Sequence, residues 1–484
     1  MLWPKEPALL EVNAWTWLDS LSKRLGRKLG LGDVPAEEWD RLVAPGFDGV
    51  WLMGVWERSP ASQAIARTHP GLLGEYGKAL PDFGPQDVLG SPYAVHRYVV
   101  DERLGGDDGL ALARRKLSQR GVRLVLDFVP NHVAVDHPWV SERPELFVSF
   151  PEGGEGCFSS GGRFLAHGRD PNFPAWTDTA QLHLMKKGTR AVLADALCSI
   201  ADKCDGVRCD MAMLPMVQVF GKTWGDLAVG DVQTRFWPEL LGKVRARVPG
   251  FLFMGEVYWD LEGELLAQGF DLAYDKRLRD RLLLSDASAV REHVEGASGI
   301  GSMLVRFLEN HDEQRAASAF AWQRHKAAAV AASTLPGAWL LQEGQAQGLR
   351  VRLPVQLGRR PVEPADADVQ RFYDFLFRET LRGPFRKGQW ELCTTTGWPD
   401  NQSHRRLLAW ARAQEHVRTL VVVNLSSYTS QARVLLPWSD LSNRTWRLFD
   451  VGRGVVYERN GSEMVNPGLF VDLEPWGYHM LSWQ

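Results

Sequence analysis

Residues 189–211 read TRAVLADALCSIADKCDGVRCDM. The first part, 189–203, repeats apolar residues at steps of three and four, as a helix with one buried stripe does. The second part, 204–211, is short and nearly continuously apolar apart from its acids and Arg208, as a strand covered on both faces is. A helix that feeds directly into such a strand is part of a parallel βαβ unit. Working outward, the same unit recurs. Strand-like runs lie at LLEVNAWTWL (9–18), GVWLMGV (49–55), VRLVLDFV (122–129), CDGVRCDM (204–211), FLFMGEVY (251–258), MLVRFLEN (303–310) and AWLLQEG (338–344), with a weaker one at FDLAYD (270–275). Helical patterns fall between them at 35–44, 109–120, 189–203, 234–248 and 323–334. Eight strands alternating with helices predict a (β/α)8 barrel.

Two segments break the alternation. Residues 131–185 are loop-like and rich in Gly, Pro and aromatics, as in PEGGEGCFSSGG (151–162). They read as an insertion after the third strand, at the barrel end where active-site loops belong. Beyond about residue 384, LLAWARA, TLVVVNLSS, RVLLPW, TWRLFDV and GYHMLSW read as short strands with turns between them. They predict a C-terminal β-sandwich. The expected division is a barrel over 1–130 and 186–384, an inserted domain over 131–185 and a sandwich over 385–484.

Composition narrows the function classes. The 484 residues carry 56 Lys+Arg against 59 Asp+Glu, a formal charge of −3, which argues against a dominant nucleic-acid partner. No run approaches the roughly 18 to 20 apolar residues of a membrane span. The N-terminal MLWPKEPALLEVNAW has neither a basic cluster nor a continuous apolar run, so a cytoplasmic protein is expected. Five Cys, without a CxxC pair, fit a reducing compartment, and disulfides or a structural zinc are not expected. Sequons at Asn401, Asn424, Asn443 and Asn460 then read as chance matches. Twenty Trp against nine Tyr suit stacking on sugar rings, although core packing is the ordinary use of Trp.

In a barrel of this kind the chemistry comes from the C-terminal ends of strands. Asp127, Asp210 and Glu256 fall at such ends, and Asp312 falls just beyond the seventh strand. One such acid alone would read as a loop-anchoring salt bridge; four around one mouth read as a site. Arg208 precedes Asp210 by two, so both side chains point to one face of the strand. Its charge is expected to lower the Asp210 pKa and keep a nucleophile ionised. Glu256 stands in GEVYW among aromatics, an apolar setting that raises a carboxyl pKa and suits a general acid. One ionised and one protonated carboxyl is the pairing of retaining glycosidases. Asp312 is placed to stabilise positive charge, and His132 and His311 to donate to sugar hydroxyls.

Together, DFVPNH (127–132), GVRCD (206–210), GEVY (255–258) and FLENHD (307–312) resemble, in order, the characteristic segments of the α-amylase superfamily, glycoside hydrolase family 13. The resemblance implies Asp210 as nucleophile, Glu256 as acid/base and Asp312 as transition-state stabiliser. It implies Arg208, His132 and His311 as residues holding the sugar, and Tyr93, in GSPYAV, as the stacking tyrosine. Departures exist. Where many α-amylases continue the second segment with Lys-His, this chain has Met211, Ala212, Met213 and Leu214. Members with a structural calcium use the Asn of the first segment, here Asn131, with an Asp from the insertion; TAQLH (179–183) offers Gln181 there instead. No full set of hard oxygen ligands can be assembled, so no metal is assigned. Asn131 remains open as a ligand or as a tie between insertion and barrel.

GSPYAV (90–95) and DHPWVSERPELF (136–147) also look like stretches of the maltosyltransferases that use maltose 1-phosphate. The expected activity is a retaining α-glycosidase acting on α-1,4-glucans or malto-oligosaccharides, without an organic cofactor. The alternatives are a transglycosylase built on the same acids and a catalytically silent carbohydrate-binding protein.

Overall fold

The computed structural model describes residues 3–228, 230 and 235–483. Met1, Leu2 and Thr234, which begin the N-terminal stretch and the helix expected over 234–248, lie outside the described residues. The barrel strands are β1 (Ala8–Asn13), β2 (Gly49–Met53), β3 (Arg123–Phe128), β4 (Gly206–Cys209), β5 (Leu252–Gly255), β6 (Leu272–Tyr274), β7 (Leu304–Arg306) and β8 (Ala338–Gln342). They are parallel and close in chain order, with β8 pairing back onto β1. The expected barrel is therefore present, including its weak sixth strand.

Side-chain alternation sorts each strand into two faces. Leu10, Val12, Leu124, Leu126, Val207 and Phe253 point outward into the main core under the helices. Leu9, Val125, Met254, Leu272, Val305 and Leu340 fill the barrel interior, together with Trp51 and Tyr274. On the same alternation, Glu11, Asp127, Arg208, Asp210 and Glu256 continue the inward rows toward the C-terminal mouth. At Gly255 a Cβ would come within 2.3 Å of the Leu265 side chain and 3.1 Å of Phe270. A glycine before Glu256 thus lets the following helix lie close against β5.

The first expected strand, 9–18, is too long. The chain turns at Asn13, whose side chain accepts from the backbone N–H groups of Trp15 and Thr16 and starts the helix Ala14–Leu25. An Asn N-cap ends the strand where the apolar pattern alone would extend it.

Two excursions rise at the C-terminal ends of the strands. After β3, His132–Ala134 pairs with Thr179–Gln181, and Ser149–Phe150, Cys157–Ser160 and Arg163–Ala166 form a small antiparallel sheet. After β2, Trp56–Arg58 pairs with Val95–Val100, and between them stand the helices Pro60–Ala66 and Pro70–Ala79. That second excursion was not expected, although each of its helices carries a Pro in its first turn behind a capping Ser59 or His69.

The C-terminal strands are β9 (Gln389–Thr396), β10 (Leu407–Gln414), β11 (Val417–Asn424), β12 (Ser430–Leu435), β13 (Thr445–Asp450), β14 (Val455–Asn460), β15 (Leu469–Leu473) and β16 (Tyr478–Trp483). Their order is β14-β13-β16-β11-β10-β9-β12-β15, all antiparallel. The first half of β9 pairs with β10 and its last three residues with β12, so β9 joins two halves that fold over one core. Three of these strands, β9, β14 and β15, were missed; β14 is mostly exposed and has no apolar run to mark it. Asn424 is fully buried and its amide donates to three backbone carbonyls, so its sequon is structural. All five cysteines are free. Among the described residues no helix is long and apolar enough to cross a membrane.

Candidate active site

Asp210 and Glu256 each follow directly on a barrel strand, β4 and β5. Immediately after Asp210 the chain turns sharply, with Met211 in the left-handed region at φ 41°. A non-glycine residue there is uncommon and marks a backbone held by its surroundings. The turn aims the Met211 N–H at Glu256 Oε2, at 2.7 Å. The Tyr258 hydroxyl donates to the other oxygen, Oε1, also at 2.7 Å. Glu256 is therefore fixed from both sides.

Arg208 is the hub beneath them. Its guanidinium is fully buried, with Nη1 2.7 Å from Asp210 Oδ1, Nη2 2.7 Å from Glu256 Oε2, and Nη1 3.9 Å from Asp127 Oδ1. The faces of Tyr93, Trp51 and Tyr274 surround it at 5.1, 5.3 and 5.8 Å. A buried cation is tolerable when paired and hydrogen-bonded in this way.

Several carboxyls share that cation, and the consequence is an ordering of protons. Burial pushes Glu256 up to about 7, with Asp210 and Asp312 adding to the rise and Arg208 opposing it. For Asp210 the expected depression does not occur: burial raises its pKa, and the charge and hydrogen bond of Arg208 only partly offset this. The sequence reading weighed the Arg but not the loss of water, which penalises the charged form. Asp312 behaves oppositely. Its side chain is 47% exposed to the cleft, and although the surrounding protein strips away some of its water, the imidazolium of His311 and its hydrogen bond, with Arg208 beyond, hold Asp312 down to about 2.

A cleft of about 410 Å³ opens over these groups, lined by Tyr93, His132, Asp210, Met211, Glu256 and Asp312. Trp176 and Asp178 reach it from the insertion after β3, and Ile65, His69 and Leu72 from the excursion after β2. Of the expected sugar-holding residues, Tyr93 and His132 line the cleft, whereas Arg208 and His311 lie beneath it. Burial lowers His132 to about 4, so its ring is neutral near pH 7. His311 is 5% exposed, and both its nitrogens are engaged inside the protein. Nδ1 is 2.5 Å from Glu11 Oε1, and Nε2 is 3.1 Å from Asp312 Oδ2 and 2.7 Å from the Tyr93 hydroxyl. Asp127, expected at the mouth, is a brace: it accepts from Trp51 Nε1 and from the Gly54 N–H, both at 3.2 Å, and does not line the cleft.

The sequence reading missed Glu11, Tyr258, Trp176 and a wall on the Asp312 side. A lone acid in the apolar run LLEVN was the signal available for Glu11. In the wall, the loop after β8 and the excursion after β2 are joined by Leu89 N–H to Gln356 O and Gly358 N–H to Asp87 O, both at 2.8 Å. Arg352 adds an ion pair to Glu75 at 3.2 Å and donates to the Asp312 carbonyl at 3.0 Å. Ala66, Tyr76, Leu80, Val88 and Leu357 form the wall's own small core.

The residues at the position where the resemblance would place a calcium do not fit a cation. Asn131 Nδ2 donates to Gln181 Oε1 at 3.1 Å, and Gln181 Nε2 donates to Asn131 Oδ1 at 3.0 Å and to its carbonyl at 2.9 Å. Two neutral amides that satisfy each other offer no negative charge and few free lone pairs to a hard cation. Among the described residues no group of three or more His, Cys, Asp or Glu is gathered as a metal site. The segment resembling the maltosyltransferases is also structural at its start: Asp136 accepts from Ser59 Oγ at 2.6 Å and from the Ala61 N–H at 3.0 Å.

No protein-family model matches the chain. It is 27% identical over 356 residues to an α-amylase, MalA, of Haloarcula japonica, a match covering 70% of this chain and 49% of that protein. It is 27% identical over 161 residues to the α-1,4-glucan:maltose-1-phosphate maltosyltransferase of Salinibacter ruber, covering 31% of this chain and 22% of that one. The chain thus spans about half the length of the first relative and less of the second. Among solved structures, a maltogenic α-amylase, AmyB, of Thermotoga neapolitana matches with a TM-score of 0.70 at 17% identity, over 99% of both chains. The α-amylase of Geobacillus thermoleovorans, complexed with acarbose, matches with a TM-score of 0.68 at 17% identity, over 100% of this chain and 99% of that one. These two show a shared fold. Sequence and fold together thus bear out the resemblance to the α-amylase superfamily, with a local likeness to the maltosyltransferases.

Proposed function

We propose that this chain is a retaining enzyme acting on α-glucosidic bonds of α-1,4-glucans or malto-oligosaccharides. The observation that carries the reading is one buried guanidinium shared by two carboxyls, of which Glu256 keeps its proton up to about pH 7. Asp210 attacks the anomeric carbon as Glu256 gives its proton to the leaving oxygen, forming a covalent glycosyl-enzyme. Glu256 then takes a proton from water, or from an acceptor hydroxyl, which displaces Asp210. Asp312, ionised at all but strongly acidic pH, offsets the positive charge that develops on the sugar ring. All three acids line one cleft, which argues against a silent carbohydrate-binding protein. The chemistry needs no organic cofactor, and the Asn131–Gln181 clasp supports function without calcium.

The partial match to the maltosyltransferase supports a second reading, transfer to a sugar hydroxyl, since both outcomes use the same acids. Incubation with maltoheptaose, with and without maltose 1-phosphate, resolved by mass spectrometry, separates them. Shorter products alone establish hydrolysis, longer products with phosphate release establish transfer, and no turnover of either substrate overturns the proposal.

A further inference from the structure

We infer that Glu11 is a positioning residue for this reaction: its buried carboxylate holds His311 as a cation, and that cation orients Asp312 and keeps it ionised. The inference rests on the reading of Asp312 as the transition-state stabiliser.

The geometry is a row running from β1 to the cleft. Glu11 lies on the inward face of β1, 1% exposed, one layer above Leu9. Its Oε1 accepts from His311 Nδ1 at 2.5 Å and from the His311 backbone N–H at 3.3 Å. On the far side of the ring, Nε2 meets Asp312 Oδ2 at 3.1 Å. A neutral imidazole has one donor nitrogen and one acceptor nitrogen, so it cannot donate to a carboxylate at each end. Only the doubly protonated ring can donate toward a carboxylate at each end. With the ring doubly protonated, the Tyr93 hydroxyl oxygen, 2.7 Å from Nε2, is a second acceptor for that proton. The indole of Trp51 meets the ring in a T-shaped contact, with centroids 5.5 Å apart and planes at 79°.

The charged surroundings agree. Burial works against a cation at His311, but the carboxylates of Asp312 and Glu11 and their hydrogen bonds outweigh it and raise the ring well above its ordinary value. The other titratable groups near the row are Asp127, which feels the His311 charge but whose oxygens accept from Trp51 and Gly54, Tyr93, Tyr274 on β6, and Glu309, whose carboxylate is taken by Arg315 at 2.5 Å. Arg208 stands beyond Tyr93. None of these supplies the negative charge that Glu11 places on Nδ1. Asp312 itself faces the cleft with 47% of its side chain exposed, and a cation buried behind it favours its charged form and fixes its direction.

The test uses the full chain with ¹⁵N-labelled histidine and the variant Glu11→Gln, which keeps the shape and removes the charge. NMR is expected to show His311 doubly protonated at pH 7 in the wild type, and to show its pKa at least about 1 unit lower in the variant. Initial rates on maltoheptaose are expected to fall by about 10²-fold in kcat, with KM little changed. The acidic limb of the pH–rate profile is expected to move to higher pH as Asp312 loses its cation. A neutral His311 in the wild type overturns the inference, even if the variant fails to fold. So does an unchanged His311 titration in a folded variant, or a variant that loses thermal stability but keeps kcat and its acidic limb. If the wild type turns over no α-glucan, the proposed function fails, and the NMR titration still decides the Glu11–His311 pairing.

Discussion

Arg208 and Glu256 form a buried ion pair, with Nη2 2.7 Å from Oε2, and yet burial leaves Glu256 with a pKa of about 7. The reason is competition. The same guanidinium also serves Asp210 and faces Asp127, and one charge cannot hold three desolvated carboxylates fully ionised. Replacing Arg208 with Gln should therefore raise the pKa of both Asp210 and Glu256, protonate the nucleophile near neutrality and lower kcat/KM by at least about 10²-fold. It should also cost about 3–5 kcal/mol of stability. Carboxyls whose folded pKa is raised penalise the fold at pH above their unfolded values, so the loss in Tm should be larger at pH 8 than at pH 5. Thermal melts of both proteins at the two pH values check the sign.

The raised Glu256 sets the alkaline side of the pH–rate profile. Its proton is needed for the first chemical step, so kcat/KM should fall as pH rises through about 7. On substrates with a leaving group that departs without protonation, such as an α-glucosyl fluoride, the limb should weaken or vanish. Parallel profiles with maltoheptaose and the fluoride test this.

Asp210→Asn should remove activity by about 10⁴-fold or more, since the attacking oxygen is lost. The amide oxygen still accepts from Arg208, so Tm should change little. Glu256→Gln should differ in kind, retaining formation of the glycosyl-enzyme from an activated fluoride and failing on maltoheptaose. Trapping that intermediate by intact-protein mass spectrometry distinguishes the two variants. Equal loss on both substrates would exchange or remove the assigned roles.

The Asn131–Gln181 clasp predicts that EDTA leaves both Tm and activity essentially unchanged. Gln181→Ala should strand the buried Asn131 amide and cost about 1–3 kcal/mol, read by denaturant unfolding. A large fall in Tm on adding EDTA would show a cation at a site other than these two amides.

Much of the barrel was legible in the sequence because a strand covered on both faces is marked by its apolar run, and a helix by its period. Arg208 and Asp210 were legible as a pair because residues two apart in a strand share a face. The limits of β1 were not, since one Asn side chain stops the strand inside an unbroken apolar pattern. Nor was β14, which exposes most of its residues and leaves no pattern to read.

What the chain determined by itself was local: which segments form strands, which way their side chains alternate, and which acids arrive at the mouth of the barrel. Tertiary structure alone decided what those acids do, because burial and contacts through space act on every charge at once. Asp210 is raised where its neighbour Arg208 implied the opposite, since desolvation outweighs one shared cation. Asp127 turns away from the cleft to brace Gly54. Glu11 and His311 stand far apart in the chain and meet only when β1 closes beside the loop after β7, which no local spacing records.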